Sequence, residues 1–170
     1  MKKIYAILFV LFMVINVAGC SNQTENAQNV QDSESLADTN QSSENLKPIY
    51  AKDIKNGIYE ISVDSSSSMF KVVKCELVVE DENMRAVMTM SGQGYGMVYM
   101  GTADEALADS EESYIPFILN ENGEKTFTVP VEALNMETNC AAWSIKKSLW
   151  YDRVLIFKSE EIPKDAFIVE

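Results

Sequence analysis

From residue 57 onward, short runs of alternating hydrophobic and polar residues follow one another along the chain. Alternation with a period of two is typical of β-strands that bury one face. The predicted strands are 57–63, 71–80, 84–91, 95–101, 114–119, 125–131, 138–145 and 150–158. Seven or eight short strands with frequent turns predict an all-β sandwich, and a β-barrel is the alternative.

The inner faces of two predicted strands follow directly from this alternation. They comprise Val73, Cys75, Leu77 and Val79 in the first strand, and Met84, Ala86, Met88 and Met90 in the second. Methionine fills irregular cores well, so we interpret the second face as core. Thioethers also bind Cu(I), which makes a copper site on this face the less favoured alternative.

Breaks in the alternation predict the connections. Four consecutive serines at 65–68 compete for backbone hydrogen bonds and favour a turn or one helical turn. Thr102 precedes a run of helix formers, which predicts one or two helical turns. The Asn-Gly pair at 122–123 predicts a hairpin. The glycines around residue 94 lack the context of a phosphate-binding loop and indicate a bulged turn.

The first twenty residues have the pattern of an export signal. Lys2 and Lys3 precede an apolar run over 4–17, which is shorter than the roughly 20 residues of a membrane-spanning helix. The run ends in Val-Ala-Gly-Cys, which resembles the lipobox of bacterial lipoproteins. That resemblance implies cleavage after Gly19 and lipidation of Cys20. The acyl chains would then anchor the protein at the extracytoplasmic face of the cell membrane.

The segment after the lipidated cysteine is polar. Residues 21–46 contain no aromatic residue, glycine, proline, lysine or arginine. A segment of this composition cannot offset its backbone entropy by burying apolar surface, so we expect a disordered tether. The predicted organisation is a signal peptide over 1–19, the lipidated cysteine and linker over 20–46, and one folded domain over 47–170.

Charge and composition exclude several functions. The chain has 14 Lys and Arg against 26 Asp and Glu, a net charge of -12, and no histidine. Nucleic-acid binding needs a basic face, so we expect no such partner. Without histidine there is no Ser-His-Asp or Cys-His apparatus and no His-ligated zinc, and we expect no enzyme. Ligands for iron or haem must then be Tyr, Met, Cys or carboxylates.

Two cysteines remain in the folded region. Cys75 and Cys140 lie on predicted strands of an exported domain, where disulfides can form. A bridge between them would stabilise the fold by about 2–4 kcal/mol. The alternative is two separately buried thiols that pack as small apolar side chains.

The order of the predicted elements also carries information. A first strand precedes the serine-rich turn, two strands joined by a tight turn follow, and a Val-Pro-Val strand and a tyrosine-bearing hairpin come last. This order is similar to that of the near-iron-transporter (NEAT) family of Gram-positive surface proteins. Members are immunoglobulin-like sandwiches that bind haem or haem proteins between a short helix after the first strand and the last hairpin. The resemblance implies the same fold and a role in uptake with a transporter.

The family's functional residues carry over to specific positions. The resemblance implies that Ser68, Met69 and Phe70 lie over one face of a haem and that Tyr151 ligates its iron. The family's haem binders have a second tyrosine four residues later, where this chain has Leu155.

Two neighbours of Tyr151 complete the expected ligand-binding set. Arg153 is suited to stabilise a phenolate or a haem propionate, and Trp150 belongs to the same segment as Tyr151. The alternative is that Trp150 and Tyr151 are core and edge aromatics of a sandwich. In that case the domain is a protein-interaction or structural module of the envelope without a small-molecule ligand.

Overall fold

In the computed structural model, which describes residues 47–168, two five-stranded antiparallel sheets pack against each other. The strands are β1 (Ile49–Tyr50), β2 (Gly57–Ile61), β3 (Val63–Ser65), β4 (Val72–Glu80), β5 (Asn83–Met90), β6 (Tyr95–Tyr99), β7 (Ile115–Pro116), β8 (Ile118–Leu119), β9 (Lys125–Val131), β10 (Ala133–Leu134), β11 (Glu137–Ser144) and β12 (Leu149–Phe157). The first sheet has the order β2-β4-β5-β9-β8 and the second β3-β12-β11-β6-β7, while β1 pairs with β10. The predicted all-β sandwich is confirmed.

Two chain segments divide between the sheets. The predicted strand 57–63 breaks at Ser62, so that β2 pairs with β4 in one sheet and β3 pairs with β12 in the other. The segment 115–119 does the same, because β7 pairs with β6 and β8 pairs with β9. When each divided segment is counted once, the two sheets described here contain eight strands, within the predicted seven or eight.

The inner faces follow the alternation with one exception. The face of β5 is buried as predicted, with Met84, Ala86, Met88 and Met90 at most 5% exposed. On β4, Cys75, Leu77 and Val79 are buried, but Val73 is 53% exposed. The register with β5 shifts between Val72 and Lys74, and this bulge turns Val73 away from the core. Its assignment to the inner face was therefore wrong.

The connections also match their sequence signals. The serine-rich segment forms a turn, in which the Ser65 hydroxyl accepts a hydrogen bond from the Ser67 amide at 3.3 Å. The Asn-Gly segment joins β8 to β9, and Gly123 adopts a φ of +75° that suits glycine. Thr102 caps the helix α1 (Ala103–Ala108), and its side chain accepts a hydrogen bond from the Glu105 amide in a capping box. Short 3-10 turns lie at Ala51–Asp53, Glu111–Ser113 and Lys164–Ala166.

The cysteines of the domain are both free thiols. Cys75 lies on β4 of the first sheet and Cys140 on β11 of the second, and both are buried in the shared core. The bridge considered above is therefore not formed, because each thiol packs as a small apolar side chain on the inner face of its own strand. Burial raises the pKa of both thiols to about 12.

The export signal, the lipidated Cys20 and the linker to residue 46 lie outside the described residues. Their assignments stay predictions from the sequence. Within residues 47–168, no helix has the length and apolar character needed to cross a bilayer.

Candidate functional site

A cavity of about 520 Å³ opens at one end of the sandwich. Its lining comes from the turn before β4, the end of β5 with the glycine-rich loop that follows, the start of β6, and the hairpin between β11 and β12. Four separate segments of the chain therefore meet at this end. The volume falls within the range of small-molecule sites, roughly 300–1,000 Å³.

The alternation along β12 directs two predicted residues toward this cavity. Tyr151 and Arg153 lie on the same face of the strand as Leu155 and Phe157, which are fully buried. Nearer the start of the strand, this inner face borders the cavity, and Tyr151 is 37% exposed there. Leu155 belongs to the core, so the position of the family's second tyrosine contributes no polar group to the cavity.

Arg153 organises one wall. Its Nη2 donates a hydrogen bond to the Tyr95 hydroxyl at 2.9 Å, and its Nη1 donates to the Asp152 carbonyl at 2.6 Å. The guanidinium carbon lies 5.3 Å from the centroid of the Tyr151 ring and 5.8 Å from that of Tyr95. Cation–π contacts of this kind contribute about 0.5–1 kcal/mol at accessible sites. Arg153 therefore holds two tyrosine rings in place at the cavity.

The residues of the serine-rich turn separate into different environments. Met69 lines the cavity and is 81% exposed. Ser68 is exposed but is not a lining residue. Phe70 is fully buried, with its ring edge-on to Tyr95 at a centroid distance of 5.1 Å. The prediction that Phe70 covers a ligand was therefore wrong, because the turn directs its ring into the core.

Trp150 faces away from the cavity. Its ring packs edge-on against Trp143 at 5.4 Å and Tyr114 at 5.0 Å. Asp152, on the same side of β12, accepts a hydrogen bond from the Ala103 amide at the start of α1. Trp150 thus supports the outer face of the second sheet, and its assignment to the ligand-binding set was wrong because of the period-two alternation of β12.

Four cations line the cavity in an otherwise acidic domain. They are Lys71, Lys146, Lys147 and Arg153, and the described lining residues include no aspartate or glutamate. Sequence reasoning missed the three lysines, together with Met90 and Tyr95. The available signal was the Lys-Lys pair in the turn of the hairpin that carries Tyr151.

A buried lysine fixes the glycine-rich loop. Lys125 is only 6% exposed, and its ammonium donates to the carbonyls of Gln93 at 2.9 Å and Tyr95 at 2.8 Å. It also lies 3.9 Å from the centroid of the Phe117 ring. Burial lowers the pKa of this ammonium, and the two carbonyls offset part of its lost hydration. Lys125 therefore holds a loop that forms part of the cavity.

We expect Lys125→Met to loosen this loop. Each hydrogen bond from a charged donor contributes about 1.5–3 kcal/mol, so losing two should speed local opening by about tenfold or more. The reporters are the amides of Ser91 and Ile145, which donate to the carbonyls of Lys71 and Gly94. Hydrogen exchange measures their opening. Lys74→Met removes an exposed lysine and is the control. Equal exchange rates of these two amides in both variants would show that Lys125 does not hold the loop.

A second cavity of about 820 Å³ lies at the opposite end of the sandwich and contains none of the residues predicted to contact haem. Its carboxylates include Glu82, Glu105 and Glu132. Glu105 is occupied in capping α1, and its hydrogen bonds from Thr102 lower its pKa. Across residues 47–168, no three His, Cys, Asp or Glu side chains converge to hold a metal ion.

Comparison with known proteins identifies no relative of this chain. No family, no curated protein and no solved structure matches it.

Proposed function

We propose that the domain captures haem in the cavity between the serine-rich turn and the β11–β12 hairpin. One observation carries the proposal. Met69, Tyr151 and Arg153, chosen from the sequence for haem contact, come from two distant segments and line the same cavity. This arrangement matches the NEAT resemblance, in which haem lies between the segment after the first strand and the last hairpin.

The chemistry of the lining suits haem. Tyrosine is an established axial ligand of haem iron, and two tyrosines line the cavity. The Tyr95 hydroxyl accepts a hydrogen bond from Arg153, whereas the Tyr151 hydroxyl has no hydrogen-bond partner among the described residues. Tyr151 is therefore the tyrosine available to iron. Met69 and Met90 supply polarizable apolar contacts for a porphyrin face.

Arg153 supports the same role electrostatically. Haem carries anionic propionate groups, and a cation in the cavity wall attracts such groups. The guanidinium beside the Tyr151 ring is fixed by its bond to Tyr95, so its charge is already in position. In this proposal, Arg153 attracts a haem propionate, while Leu155 contributes only to the core.

The predicted location at the cell surface suits a role in haem uptake. A lipid on Cys20 and a polar tether would hold the domain at the extracytoplasmic face of the cell membrane. There it would take haem from solution or from a haem protein and deliver it to an uptake transporter in the same membrane. Both partners are part of the proposal.

Hemin titration tests the proposal. We expect the mature chain from residue 20, carrying Cys20→Ser to prevent lipidation, to give a saturable shift of the Soret band at one hemin per chain. Tyr151→Phe should weaken binding by about tenfold or more, because it removes the charged ligand of the iron. Tyr50→Phe is the matched control, since Tyr50 is 41% exposed and borders the other cavity.

A wild-type spectrum identical to that of free hemin would reject haem as the ligand. If Tyr151→Phe and Tyr50→Phe lost hemin affinity equally, the proposed haem site would be rejected. The protein-interaction alternative would then lead, with the edge strand β8 as its surface, because Ile118 and Leu119 are 66% and 55% exposed there.

A further inference from the structure

We propose that Lys71, Lys146 and Lys147 form an anion-binding rim around the cavity mouth. The ligand class is then an aromatic or apolar body that carries at least one anionic group, such as a carboxylate or a sulfonate. This inference rests on the proposed use of the cavity as a ligand site, but it does not require that the ligand is haem.

The first observation is the uneven distribution of charge in the domain. Over residues 47–168, acidic residues outnumber Lys and Arg by 20 to 12. The described lining of the cavity nevertheless contains four cations and no acid. Clefts lined by one sign of charge raise the local concentration of counter-ions of the opposite sign. An anion should therefore be attracted to this end of a domain that otherwise repels it.

The second step is that the rim lysines have no partner among the described residues. Ion pairs in this part of the chain involve Lys52 with Asp53, Lys74 with Glu76, Arg85 with Glu80, and Lys158 with Asp64. Lys125 and Arg153 donate to carbonyls and to Tyr95. The three rim ammonium groups make neither kind of contact, so their charges remain available to a ligand.

The third step is the contrast between rim and interior. Met90 lines the cavity from the end of β5 and Tyr95 from the start of β6, and Met90 is only 5% exposed. All three rim lysines are exposed. An apolar interior below a cationic edge is complementary to an amphiphilic anion. The concave shape favours a small molecule over a flat anionic membrane surface.

Two dyes that differ by one charge test this inference. The anion 8-anilinonaphthalene-1-sulfonate and the neutral N-phenyl-1-naphthylamine share the same aromatic body. We expect the sulfonate to bind about tenfold more tightly at low salt, because a charge-assisted contact contributes at least this factor. Added sodium chloride should reduce the difference, since the exposed lysines are screened. Fluorescence titration measures both affinities in the mature chain with Cys20→Ser.

Paired substitutions assign the preference to the rim. Lys146→Gln with Lys147→Gln should abolish most of the sulfonate's advantage and leave the neutral dye unchanged. Lys52→Gln with Lys164→Gln makes the same change in net charge at exposed positions that do not line this cavity. An equal effect in this control pair would overturn the inference, because general electrostatics would then explain the preference.

The outcomes separate this inference from haem binding. Equal affinities of the two dyes, or binding of neither, would overturn the anionic rim. Hemin binding that is insensitive to the lysine pair would also overturn it while leaving haem as the ligand. A preference for the sulfonate dye that depends on these lysines would support the rim even if hemin did not bind. Lysine-dependent sedimentation with phosphatidylglycerol vesicles, with equal dye affinities, would reassign the rim to a membrane surface.

Discussion

Replacing Phe70 by alanine should lower the free energy of unfolding by about 3–5 kcal/mol. The Phe70 ring is fully buried and packs edge-on against the ring of Tyr95. Its removal leaves a void beside Tyr95, and the surrounding strands cannot close it without shifting. The loss is a large fraction of the roughly 5–15 kcal/mol that stabilises a typical domain. Urea unfolding followed by tryptophan fluorescence measures it.

The neighbouring residue supplies the control. Met69→Ala truncates a side chain that is 81% exposed, so the unfolding free energy should change by no more than about 0.5 kcal/mol. Under the proposed function, the same substitution should weaken hemin binding, because Met69 lines the cavity. If Met69→Ala unfolded the domain and Phe70→Ala did not, the roles of these two residues would have to be exchanged.

Period-two alternation predicted the strands well because burial and side-chain direction are local properties of a strand. Met84 through Met90 show this, since every second side chain enters the core. Which strands pair is not a local property. The break at Ser62 moves the chain from one sheet to the other, and the bulge near Val73 depends on register with β5. Neither feature has a signal in the alternation itself.

The candidate site was predictable only in part. Tyr151 and Arg153 share a face of β12 with Leu155, so their common direction follows from the sequence alone. The same rule excludes Trp150 from that face. Trp150 entered the set because it lies next to Tyr151 in the sequence, which does not fix the direction of its side chain. In the structure, Trp150 packs against Trp143 and Tyr114 instead.

The cavity residues that the sequence did not predict were missed for one reason. Lys71 and Met90 lie at one end of the first sheet, and Tyr95 and Lys146 lie at one end of the second. The two pairs therefore meet only when the two sheets close. None lies in a motif, because a cavity at the end of a sandwich is assembled from strand termini. The net charge of the sequence is negative, and it does not reveal that the fold brings several cations together around one cavity.

The buried thiols should resist alkylation in the folded protein by about 10³-fold relative to the unfolded chain. Burial raises the pKa of Cys75 and Cys140 from 9.0 to about 12, and the thiolate is the reactive form. At about pH 8 the thiolate population falls roughly tenfold for each unit of that increase. Iodoacetamide labelling of the mature chain with Cys20→Ser, with and without concentrated guanidinium chloride, measures the two rates by mass spectrometry.

The same raised pKa values make stability depend on pH in a definite direction. The unfolded thiols lose their protons as the pH rises past about 9, whereas the folded thiols keep theirs until about 12. The contribution to stability is therefore fully present below pH 9 and is lost as the pH rises toward 12. The double variant Cys75→Ala, Cys140→Ala should be less stable at neutral pH but should lose less stability above pH 9. Rapid iodoacetamide labelling of the folded protein would contradict the burial of the two thiols. A folded protein whose mass is lower by two hydrogens would contain a disulfide, which would contradict free thiols.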